Sequence, residues 1–301
     1  PKEGGRLDLP IALGILAASG QIPADRLDDF ECAGELSLSG ALRGFRGVLP
    51  MSLKCRDAGR TLVVPQNCAD EAAIIRDANV LPAGSLLDVC KHLNGLASLE
   101  LYTPPSKETP KPAHIADLSD VRGQHHARRA IEIAAAGGHH LLMTGPPGTG
   151  KTMLASRMAG ILPPMNEAQA LESASIASIS HQGFNSAEFL QRPFRAPHHT
   201  ASGVALVGGG THPKPGEISL AHNGILFLDE LTEFDRRTLD VLREPIETGE
   251  ITISRAAHQA NFLQALKTLS QKYSALRKEL KEVKKSELNW REGASQNIVL
   301  D

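Results

Sequence analysis

Apolar positions in the first hundred residues follow both helix-like and strand-like patterns. The run LPIALGILAAS, residues 9–19, is almost continuously apolar, which predicts a buried helix. Two shorter stretches, ELSLSGAL at 35–42 and TLVVP at 61–65, have the length and patterning of strands. Residues 1–101 are therefore predicted to form an α/β or α+β domain.

The segment 102–116 is predicted to be a linker. It contains four prolines, the first two adjacent in YTPPSKETPKP. Proline fixes its own φ and lacks an N–H donor, so it opposes both a helix and a central strand. The linker separates two predicted domains.

Beyond the linker, short apolar runs alternate with helical patterns. LLMTG at 141–145 and ILFLDE at 225–230 are predicted to be buried strands, and a helix is predicted from Thr152 to about Leu162. Strands that alternate with helices are typical of a parallel sheet covered on both faces. Residues 117–262 are therefore predicted to form an α/β domain of the kind that binds nucleotides.

The pattern changes after about residue 259, in QANFLQALKTLSQKYSALRKELKEV. Apolar residues recur there at alternating spacings of four and three, as in a heptad seam: Phe262, Leu266, Leu269, Tyr273, Leu276, Leu280 and Val283. We predict an amphipathic helix and tail over residues 263–301. Packing on its own domain and coiled-coil association both fit the pattern.

Composition and charge add little to this division. The 301 residues carry a formal net charge of −2, which favours neither nucleic acid nor membrane as a partner of the whole chain. The four cysteines have no C-x-x-C spacing, and reduced thiols in the cytoplasm are expected: Cys32, Cys55, Cys68 and Cys90. No apolar run approaches the ~20 residues of a membrane span. Because the sequence begins at Pro1, the first domain is expected to be incomplete.

The most specific motif is GPPGTGKT, which satisfies G-x-x-x-x-G-K-[ST] between a predicted strand and a predicted helix. Glycines in such a loop let backbone N–H groups curl around phosphate oxygens, and the helix presents its positive end to them. A lysine reaches the β- and γ-phosphates, and the Thr hydroxyl binds Mg²⁺. The predicted ATP-binding residues are Gly145, Pro146, Pro147, Gly148, Thr149, Gly150, Lys151 and Thr152.

A second motif, GILFLDE, places two carboxylates at the end of the predicted strand 225–230. Ligands of open α/β sheets bind at the carboxyl ends of strands. We therefore predict that Asp229 joins Thr152 in binding Mg²⁺ and that Glu230 is the catalytic residue, orienting or deprotonating the attacking water.

The chain between the two motifs contains a stretch without acidic residues, from Phe189 to Gly216. It predicts a loop that faces an anionic partner, with DNA as one candidate, through Arg192, Arg195, His198, His199 and Lys214. A loop beside the nucleotide that only tolerates positive charge fits equally well. The adjacent histidine pairs at 125–126, 139–140 and 198–199 lack the i, i+4 spacing of a helical metal site.

Several motifs together resemble the ComM/YifB family, the magnesium-chelatase-like branch of AAA+ ATPases: GHHLLMTGPPGTGKTMLASRMAGILPP, RPFRAPHHTAS, PGEISLAHNGILFLDELTEFDRRTLDVLREPIETG and ISRA. The resemblance covers the chain to about Phe262. It implies a hexameric ring ATPase with the acid-free loop at or near the pore. It also implies a DNA helicase that drives branch migration during natural transformation.

The first domain resembles the Lon-type proteolytic domain of this family, a ribosomal S5 domain 2-like fold. Where Lon-type proteases place their serine, this chain has Arg6 and no serine before Ser19, and the lysine position corresponds to Leu49. A Ser-Lys dyad needs both partners, so we expect no proteolysis. Ser52 and Lys54 are a remote substitute, and a scaffold role is favoured.

Family members continue after ISRA with a sensor residue and an arginine finger, and this sequence does not show that pattern. An arginine finger accelerates phosphoryl transfer by orders of magnitude. We therefore expect a chain that binds ATP and Mg²⁺ but hydrolyses ATP poorly, as a monomer or small oligomer. A magnesium-chelatase-type motor subunit and a non-enzymatic nucleotide-binding assembly protein are the alternatives.

Overall fold

A computed structural model describes residues 5–104, 116–209, 214–248, 250–255, 258–263 and 298–299. The chain divides into two compact units, one of residues 1–110 and 177–189 and one of residues 111–176 and 190–301. Sequence analysis assigned residues 117–262 to a single domain, and the structure differs by grouping residues 177–189 with the first unit.

The first unit combines short strands with helices on both faces of a small sheet. Its helices are α1 (Asp8–Ala18), α2 (Val48–Asp57), α3 (Ala69–Ala72) and α4 (Leu86–Leu93), with 3₁₀ turns at Gly5–Leu7, Ala24–Asp29, Gln66–Cys68 and Ser186–Glu188. Its strands are β1 (Phe30–Cys32), β2 (Glu35–Leu36), β3 (Leu42–Arg43), β4 (Thr61–Pro65) and β5 (Asn79–Ala83).

Strands β1, β4 and β5 form a parallel sheet with β4 in the centre. Alternate side chains of β4 enter different apolar clusters. Val63 packs with Leu9, Leu13 and Val89 from the helices α1 and α4. Leu62 and Val64 pack in a second cluster with residues of α2 and α3. The sheet is thus buried on both faces, as parallel sheets require.

The predicted strand 61–65 is confirmed as β4, whereas the predicted strand 35–42 is wrong. Residues of that stretch form the antiparallel pair β2 and β3, joined by a turn in which Gly40 N–H donates to Ser37 O at 2.9 Å. Gly40 has φ of 79°, a left-handed conformation that glycine adopts without steric cost. The alternating pattern conceals this reversal because its single glycine also fits within a strand.

The predicted helix 9–19 is confirmed as α1, but it is buried on one side only. Leu9 and Leu13 are fully buried, while Ile11 and Ile15 are 59% and 63% exposed. An apolar run cannot distinguish a buried helix from a half-exposed one, since it lacks the polar positions that would mark the solvent face.

All four cysteines lie in the first unit and are free. Burial raises the pKa of the Cys32 thiol to about 12 and that of the Cys55 thiol to about 11. The thiolate is the reactive form, so both groups are unreactive at neutral pH. These cysteines therefore serve as small apolar side chains.

Residues 177–189 are held in the first unit by contacts with the residues before α2. Gly47 N–H donates to Ser178 O at 3.1 Å, and Arg46 Nη1 donates to Ser180 O at 3.3 Å. Gly47 has φ of 85°, and a Cβ there would lie 3.1 Å from the Ile179 side chain. The left-handed residue at the start of α2 thus also provides room for this segment.

The helices of the rest of the chain are α5 (His125–Gly137), α6 (Lys151–Ile161), α7 (Glu167–Ile179), α8 (Gly203–Val207), α9 (Glu217–Leu220), α10 (Arg236–Asp240) and α11 (Arg243–Thr248). The strands are β6 (Leu142–Met143), β7 (Phe194–Arg195), β8 (Gly208–Gly209), β9 (Lys214–Pro215), β10 (Ile225–Leu226), β11 (Glu250–Arg255), β12 (His258–Leu263) and β13 (Ile298–Val299). Further 3₁₀ turns lie at Leu118–Asp120 and Leu231–Glu233.

Two apolar clusters stabilise the second unit. Leu118, Val121, Ile131 and Leu154 form one cluster, which joins α5 and α6. Leu206, Ile218, Phe234 and Leu242 form the other, around α8 and α9. Full burial of each such side chain stabilises the folded state by about 1.5–3 kcal/mol.

The α/β class is confirmed, with a parallel sheet in the first unit and a parallel pair in the second. In the second unit β7 pairs with β10. Both predicted strands exist but are short, Leu142–Met143 and Ile225–Leu226. Among the described strands, β6 pairs with β13 in antiparallel fashion and not with β7 or β10.

The predicted C-terminal helix falls almost entirely outside the described residues, since 264–297 are not among them. At its start the structure differs from the heptad interpretation. Residues 258–263, including Phe262 and Leu263, form β12, which pairs with β11 in an antiparallel hairpin. The heptad assignment of Phe262 is therefore wrong, because the backbone of this residue pairs with Ile251.

The close approach of β10 to the chain before β7 predicts that Gly224→Ala destabilises the second unit. A Cβ at Gly224 would lie 2.0 Å from Pro193 O, the acceptor of the first inter-strand hydrogen bond. Relieving that overlap requires a backbone shift, which should lower the free energy of unfolding by about 1–3 kcal/mol. Urea unfolding monitored by circular dichroism measures the loss.

The matched control is Gly203→Ala, in the same unit. A Cβ at Gly203 would meet only the Val241 side chain, at an ordinary 3.7 Å. We expect little change in the free energy of unfolding for this variant, because alanine is also the better helix former. Equal stability of the two variants would contradict the close approach at Gly224.

Candidate functional site

The parallel pair of β7 and β10 positions the candidate site in the second unit. Ile225 N–H donates to Pro193 O and Phe227 N–H donates to Arg195 O, both at 2.8 Å. The rings of Phe194 and Phe227 stack with their centroids 6.2 Å apart. After β10 the chain passes through Phe227 and Leu228 to Asp229 and Glu230.

The glycine-rich loop 145–150 ends in left-handed backbone. Gly148 and Gly150 have φ of 80° and 84°, a conformation that disfavours other residues. Gly150 precedes the first residue of α6, and its carbonyl accepts the helical hydrogen bond from Leu154 N–H at 2.9 Å. The loop therefore leads directly into the N-terminal end of an 11-residue helix, where the helix dipole is positive.

Lys151 folds back over the loop that precedes it. Its Nζ donates to Gly145 O at 3.0 Å and to Pro146 O at 3.1 Å. Thr149 Oγ1 donates to Pro146 O at 2.9 Å, and Gln124 Nε2 donates to Thr149 O at 2.8 Å. The ammonium group is thus held by two carbonyls of the loop.

Sequence analysis did not single out Gln124. Its backbone is left-handed, with φ of 48°, and it immediately precedes α5. The unfavourable conformation of a non-glycine residue beside a predicted ligand loop is a recognised sign of functional constraint. A sequence pattern cannot reveal it, because glutamine has no preference for this conformation.

The two residues predicted to bind Mg²⁺ are in contact. Thr152 Oγ1 donates to Asp229 Oδ2 at 2.8 Å. Asp229 Oδ1 accepts a hydrogen bond from Glu230 N–H at 3.0 Å. Residues far apart in sequence therefore meet at the mouth of the loop.

Glu230 follows in left-handed backbone, with φ of 54°. Its side chain is 64% exposed, and Oε2 lies 3.3 Å from His199 Nδ1. The sequence predicts His199 either in a DNA-facing loop or in a loop beside the nucleotide, and the structure brings it next to Glu230. No spacing in the sequence signals this contact, because it depends on the pairing of β7 with β10.

The two arginines of the predicted DNA loop are engaged within the second unit. Arg195 makes a bidentate pair with Glu217, at 2.6 Å and 2.9 Å. Arg192 donates to Pro163 O and, at 2.6 Å, to Asn223 O, and burial lowers the pKa of its guanidinium. A segment without acidic residues can thus pair with a carboxylate from another segment, here Glu217 of α9.

The rings of His198 and His199 are in contact, with centroids 4.0 Å apart and planes tilted by 37°. His198 Nδ1 shares a hydrogen bond with Thr200 Oγ1 at 2.9 Å, which holds the turn between β7 and α8. Lys214 lies in β9, where it pairs with Gly209. Of the five residues predicted for DNA contacts, the structure brings one, His199, to the carboxylates.

A cavity of about 1410 Å³ joins these groups. Its lining includes Thr144, Gly145, residues 147–153, His199, Asp229 and Glu230. A cavity of this volume exceeds the range typical for drug-sized ligands and is large enough for a nucleotide. A second cavity, of about 1030 Å³, also has His199 in its lining.

The residues present fit a phosphate ligand and a small divalent cation. The lysine ammonium and the helix end supply positive charge to phosphate, and two oxygen donors, Thr152 and Asp229, already lie together. Mg²⁺ commonly uses one or two protein ligands and completes its shell with water and phosphate. Within the described residues, no group of three or more histidine, cysteine, aspartate or glutamate side chains could hold a metal.

A buried histidine braces the start of β10. His222 Nε2 lies 3.1 Å from Glu172 Oε2, and Ser173 Oγ donates to His222 O at 2.9 Å. Burial lowers the pKa of His222, although Glu172 opposes this shift. The imidazole is therefore neutral at physiological pH, and its Nε2–H donates to the carboxylate.

The serine and lysine considered as a substitute proteolytic dyad are not arranged for catalysis. Ser52 is fully buried, and its hydroxyl donates to Ala72 O at 2.7 Å. Lys54 is exposed two residues further along the same helix. Leu49, at the position of the Lon-type lysine, is fully buried. No nucleophile is presented at these three positions.

Comparison with known proteins identifies the family. Residues 117–272 match the family described as "Magnesium chelatase, subunit ChlI", and residues 1–68 match "Subunit ChlI of Mg-chelatase". The chain is 55% identical to "Competence protein ComM" of Haemophilus influenzae over 265 residues, covering 87% of this chain and 52% of that protein. It is 53% identical to "Uncharacterized protein YifB" of Escherichia coli, covering 85% of this chain and 50% of that protein.

The chain belongs to the ComM/YifB family. It spans about half the length of the curated ComM and YifB relatives that it matches. The family match extends to residue 272, beyond the boundary at Phe262 that the ComM/YifB resemblance predicted. The crystal structure of NtrX from Brucella abortus in complex with ADP has a TM-score of 0.33 and 16% identity, over 71% of this chain and 44% of that one, a similarity too low to bear on function.

Within the described residues, no helix of this ComM/YifB chain has both the length and the apolar character needed to cross a lipid bilayer.

The half-buried pair of Arg195 and Glu217 predicts a measurable coupling energy. Their side chains are about a quarter exposed and bidentate, so a double-mutant cycle with Arg195→Gln and Glu217→Gln should give about 1–3 kcal/mol. Urea unfolding of the four proteins measures it. Arg129 and Glu132, an exposed i, i+3 pair, are the control and should give below about 0.5 kcal/mol. Coupling as small as in the control would show that Arg195 is available to other partners.

Proposed function

We propose that this chain binds ATP with Mg²⁺ and carries the hydrolysis site of an AAA+ ATPase. The observation that carries the proposal is the 2.8 Å hydrogen bond between Thr152 and Asp229. It joins the start of α6, at the end of the phosphate loop, to the segment after β10 that contains Glu230. Both motifs therefore face one cavity, as transfer of a phosphoryl group to water requires.

The loop residues bind the triphosphate. Backbone N–H groups of 145–152 and the N-terminal end of α6 donate to phosphate oxygens. Lys151, which now donates to Gly145 O and Pro146 O, exchanges these carbonyls for the β- and γ-phosphates. The exchange costs little, because the ammonium group is already positioned over the loop.

Thr152 and Asp229 would hold Mg²⁺, which neutralises charge on the β- and γ-phosphates when it is bound. Glu230 orients the attacking water and accepts its proton. The water oxygen forms a bond to the γ-phosphorus, the bond to the β–γ bridging oxygen breaks, and ADP leaves with the electron pair. Glu230 then returns the proton to phosphate or solvent.

Two variants separate binding from hydrolysis. Lys151→Ala should weaken binding of a fluorescent ATP analogue with Mg²⁺ by at least about tenfold, because it removes the charge that contacts the phosphates. Glu230→Gln should bind the analogue like the wild type and lower the single-turnover rate of ATP hydrolysis by about 100-fold or more. Fluorescence titration and release of labelled phosphate measure the two quantities.

Lys54→Ala and Glu132→Gln are the surface controls and should match the wild type in both assays. Nucleotide affinity unchanged by Lys151→Ala would contradict the proposed site. The same single-turnover rate tests the expectation, from the sequence after ISRA, that hydrolysis is slow. A rate typical of complete AAA+ motors would refute that expectation while leaving the binding site intact.

We propose DNA, single-stranded or branched, as the partner of the hydrolysis cycle and a hexamer as the family's assembly, in the cytoplasm. Support comes from the similarity to the competence protein ComM of Haemophilus influenzae and from the basic character of residues 189–216. Arg192 and Arg195 contact groups within the unit. Lys214, in β9, supplies a third positive charge of the same stretch.

A DNA contact through Lys214 predicts salt-dependent binding. Lys214→Ala should weaken binding of a labelled single-stranded oligonucleotide and reduce the slope of log K against log salt by about one. Fluorescence anisotropy at stepped salt concentrations measures both. Lys54→Ala is the control for a lost surface charge. Wild-type protein that binds neither single-stranded nor branched DNA would refute the DNA proposal.

A magnesium-chelatase-type motor subunit is the second candidate. The observation that favours it is the family description matched by residues 117–272. Hydrolysis that responds to no form of DNA would favour a chelatase-type motor subunit or a nucleotide-binding assembly protein.

A scaffold or interaction role is proposed for the first unit, in agreement with the buried Leu49 and Ser52.

A further inference from the structure

We propose that His199 is a positioning residue for Glu230, which holds one carboxylate oxygen so that the other faces the attacking water. The inference rests on the proposed ATP hydrolysis and adds a residue to its machinery. It assigns a role in hydrolysis to the motif RPFRAPHHTAS, which the sequence predicts to be a loop that faces DNA or lies beside the nucleotide.

The strand register places His199 opposite Glu230. Phe194 pairs with Ile225 and Arg195 with Leu226 in parallel β7 and β10. If the same pairing is continued along both chains, residue 199 falls opposite residue 230. The two residues leave the same edge of the pair after equal numbers of residues, so their proximity follows from the fold.

The contact joins a held imidazole to a less restrained carboxylate. His199 Nδ1 lies 3.3 Å from Glu230 Oε2, with the histidine side chain 30% exposed and the glutamate side chain 64% exposed. The His199 ring lies against the tilted ring of His198, whose Nδ1 is hydrogen-bonded to Thr200 Oγ1 at 2.9 Å. The more buried and better-supported partner is the histidine.

Glu230 needs such support because its side chain begins from an unfavourable backbone. Its φ of 54° directs the residue out of the strand and into the turn Leu231–Glu233. An exposed glutamate samples several rotamers, whereas a general base must lie within hydrogen-bond reach of its water. An imidazole nitrogen 3.3 Å from Oε2 restricts the side chain and leaves Oε1 to accept the water proton.

The geometry predicts which substitutions retain the function. The amide nitrogen of asparagine occupies nearly the position of imidazole Nδ1, whereas that of glutamine occupies the position of Nε2. His199→Asn should therefore keep a donor toward Glu230. His199→Gln and His199→Ala should lose it, although glutamine is the larger replacement.

The test combines single-turnover hydrolysis of labelled ATP, with protein in excess, and titration with the fluorescent ATP analogue. His199→Ala and His199→Gln should lower the rate by about tenfold or more and leave the dissociation constant of the analogue within about twofold, because misplacement of a catalytic group slows only the chemical step. His199→Asn should retain a rate within about threefold of the wild type. His126→Asn, on the surface of α5, controls for the loss of an exposed histidine.

A spectroscopic measurement tests the contact without activity. In protein labelled with ¹⁵N-histidine, Glu230→Gln should shift the ring nitrogen resonances of His199, identified by their loss in His199→Asn, and leave those of His126 unchanged. Unshifted His199 resonances would overturn the proposal. So would equal losses in all three His199 variants together with weaker nucleotide binding, since this result indicates a structural role.

The outcomes separate this inference from the proposed function. Equal hydrolysis by wild type and Glu230→Gln overturns the proposed ATPase itself. An active wild type, an inactive Glu230→Gln and a His199→Ala variant at the wild-type rate overturn only the role of His199.

Discussion

The parallel pairing of β7 with β10 is the constraint on which the candidate site depends. Only two residues of each strand form the pair, yet both chains leave it at the same edge. One continues into the histidine turn and the other into Asp229 and Glu230. Close backbone approach at Gly224, the Phe194–Phe227 stack and the Arg195–Glu217 pair all stabilise this short contact. A longer sheet is not needed when three different interactions fix the register.

Arg192 and Arg195, two positive side chains of the second unit, form hydrogen bonds within that unit. Arg195 compensates Glu217, and Arg192 satisfies two backbone carbonyls near the ends of other segments. Half-buried guanidinium groups need such partners, because an unpaired buried charge is costly. The acid-free stretch is therefore a structural element of the site as well as a candidate surface for an anionic ligand. Its partners come from neighbouring segments, which explains why the stretch itself needs no acidic residue.

The first unit shows how a small parallel sheet is buried on both faces. A parallel sheet packed on both faces requires apolar side chains on both sides of β4, and the helices supply them. Leu49 and Ser52 belong to this packing, not to an exposed site. Burial of Leu49 in this interior stabilises the unit.

The sequence alone determined the phosphate loop, the strand β4, the helices α1 and α6 and the carboxylates at 229–230, because each depends on local composition and spacing. It could not determine that residues 35–42 reverse direction, that Phe262 lies in a strand, or that β6 pairs with β13. Those outcomes depend on contacts between distant segments, which a pattern within one segment does not contain. For the same reason, tertiary structure alone decided that Arg195 binds Glu217 and that His199 reaches Glu230. Strand register is a property of two segments together, and it converts a motif of unknown role into a neighbour of the carboxylates.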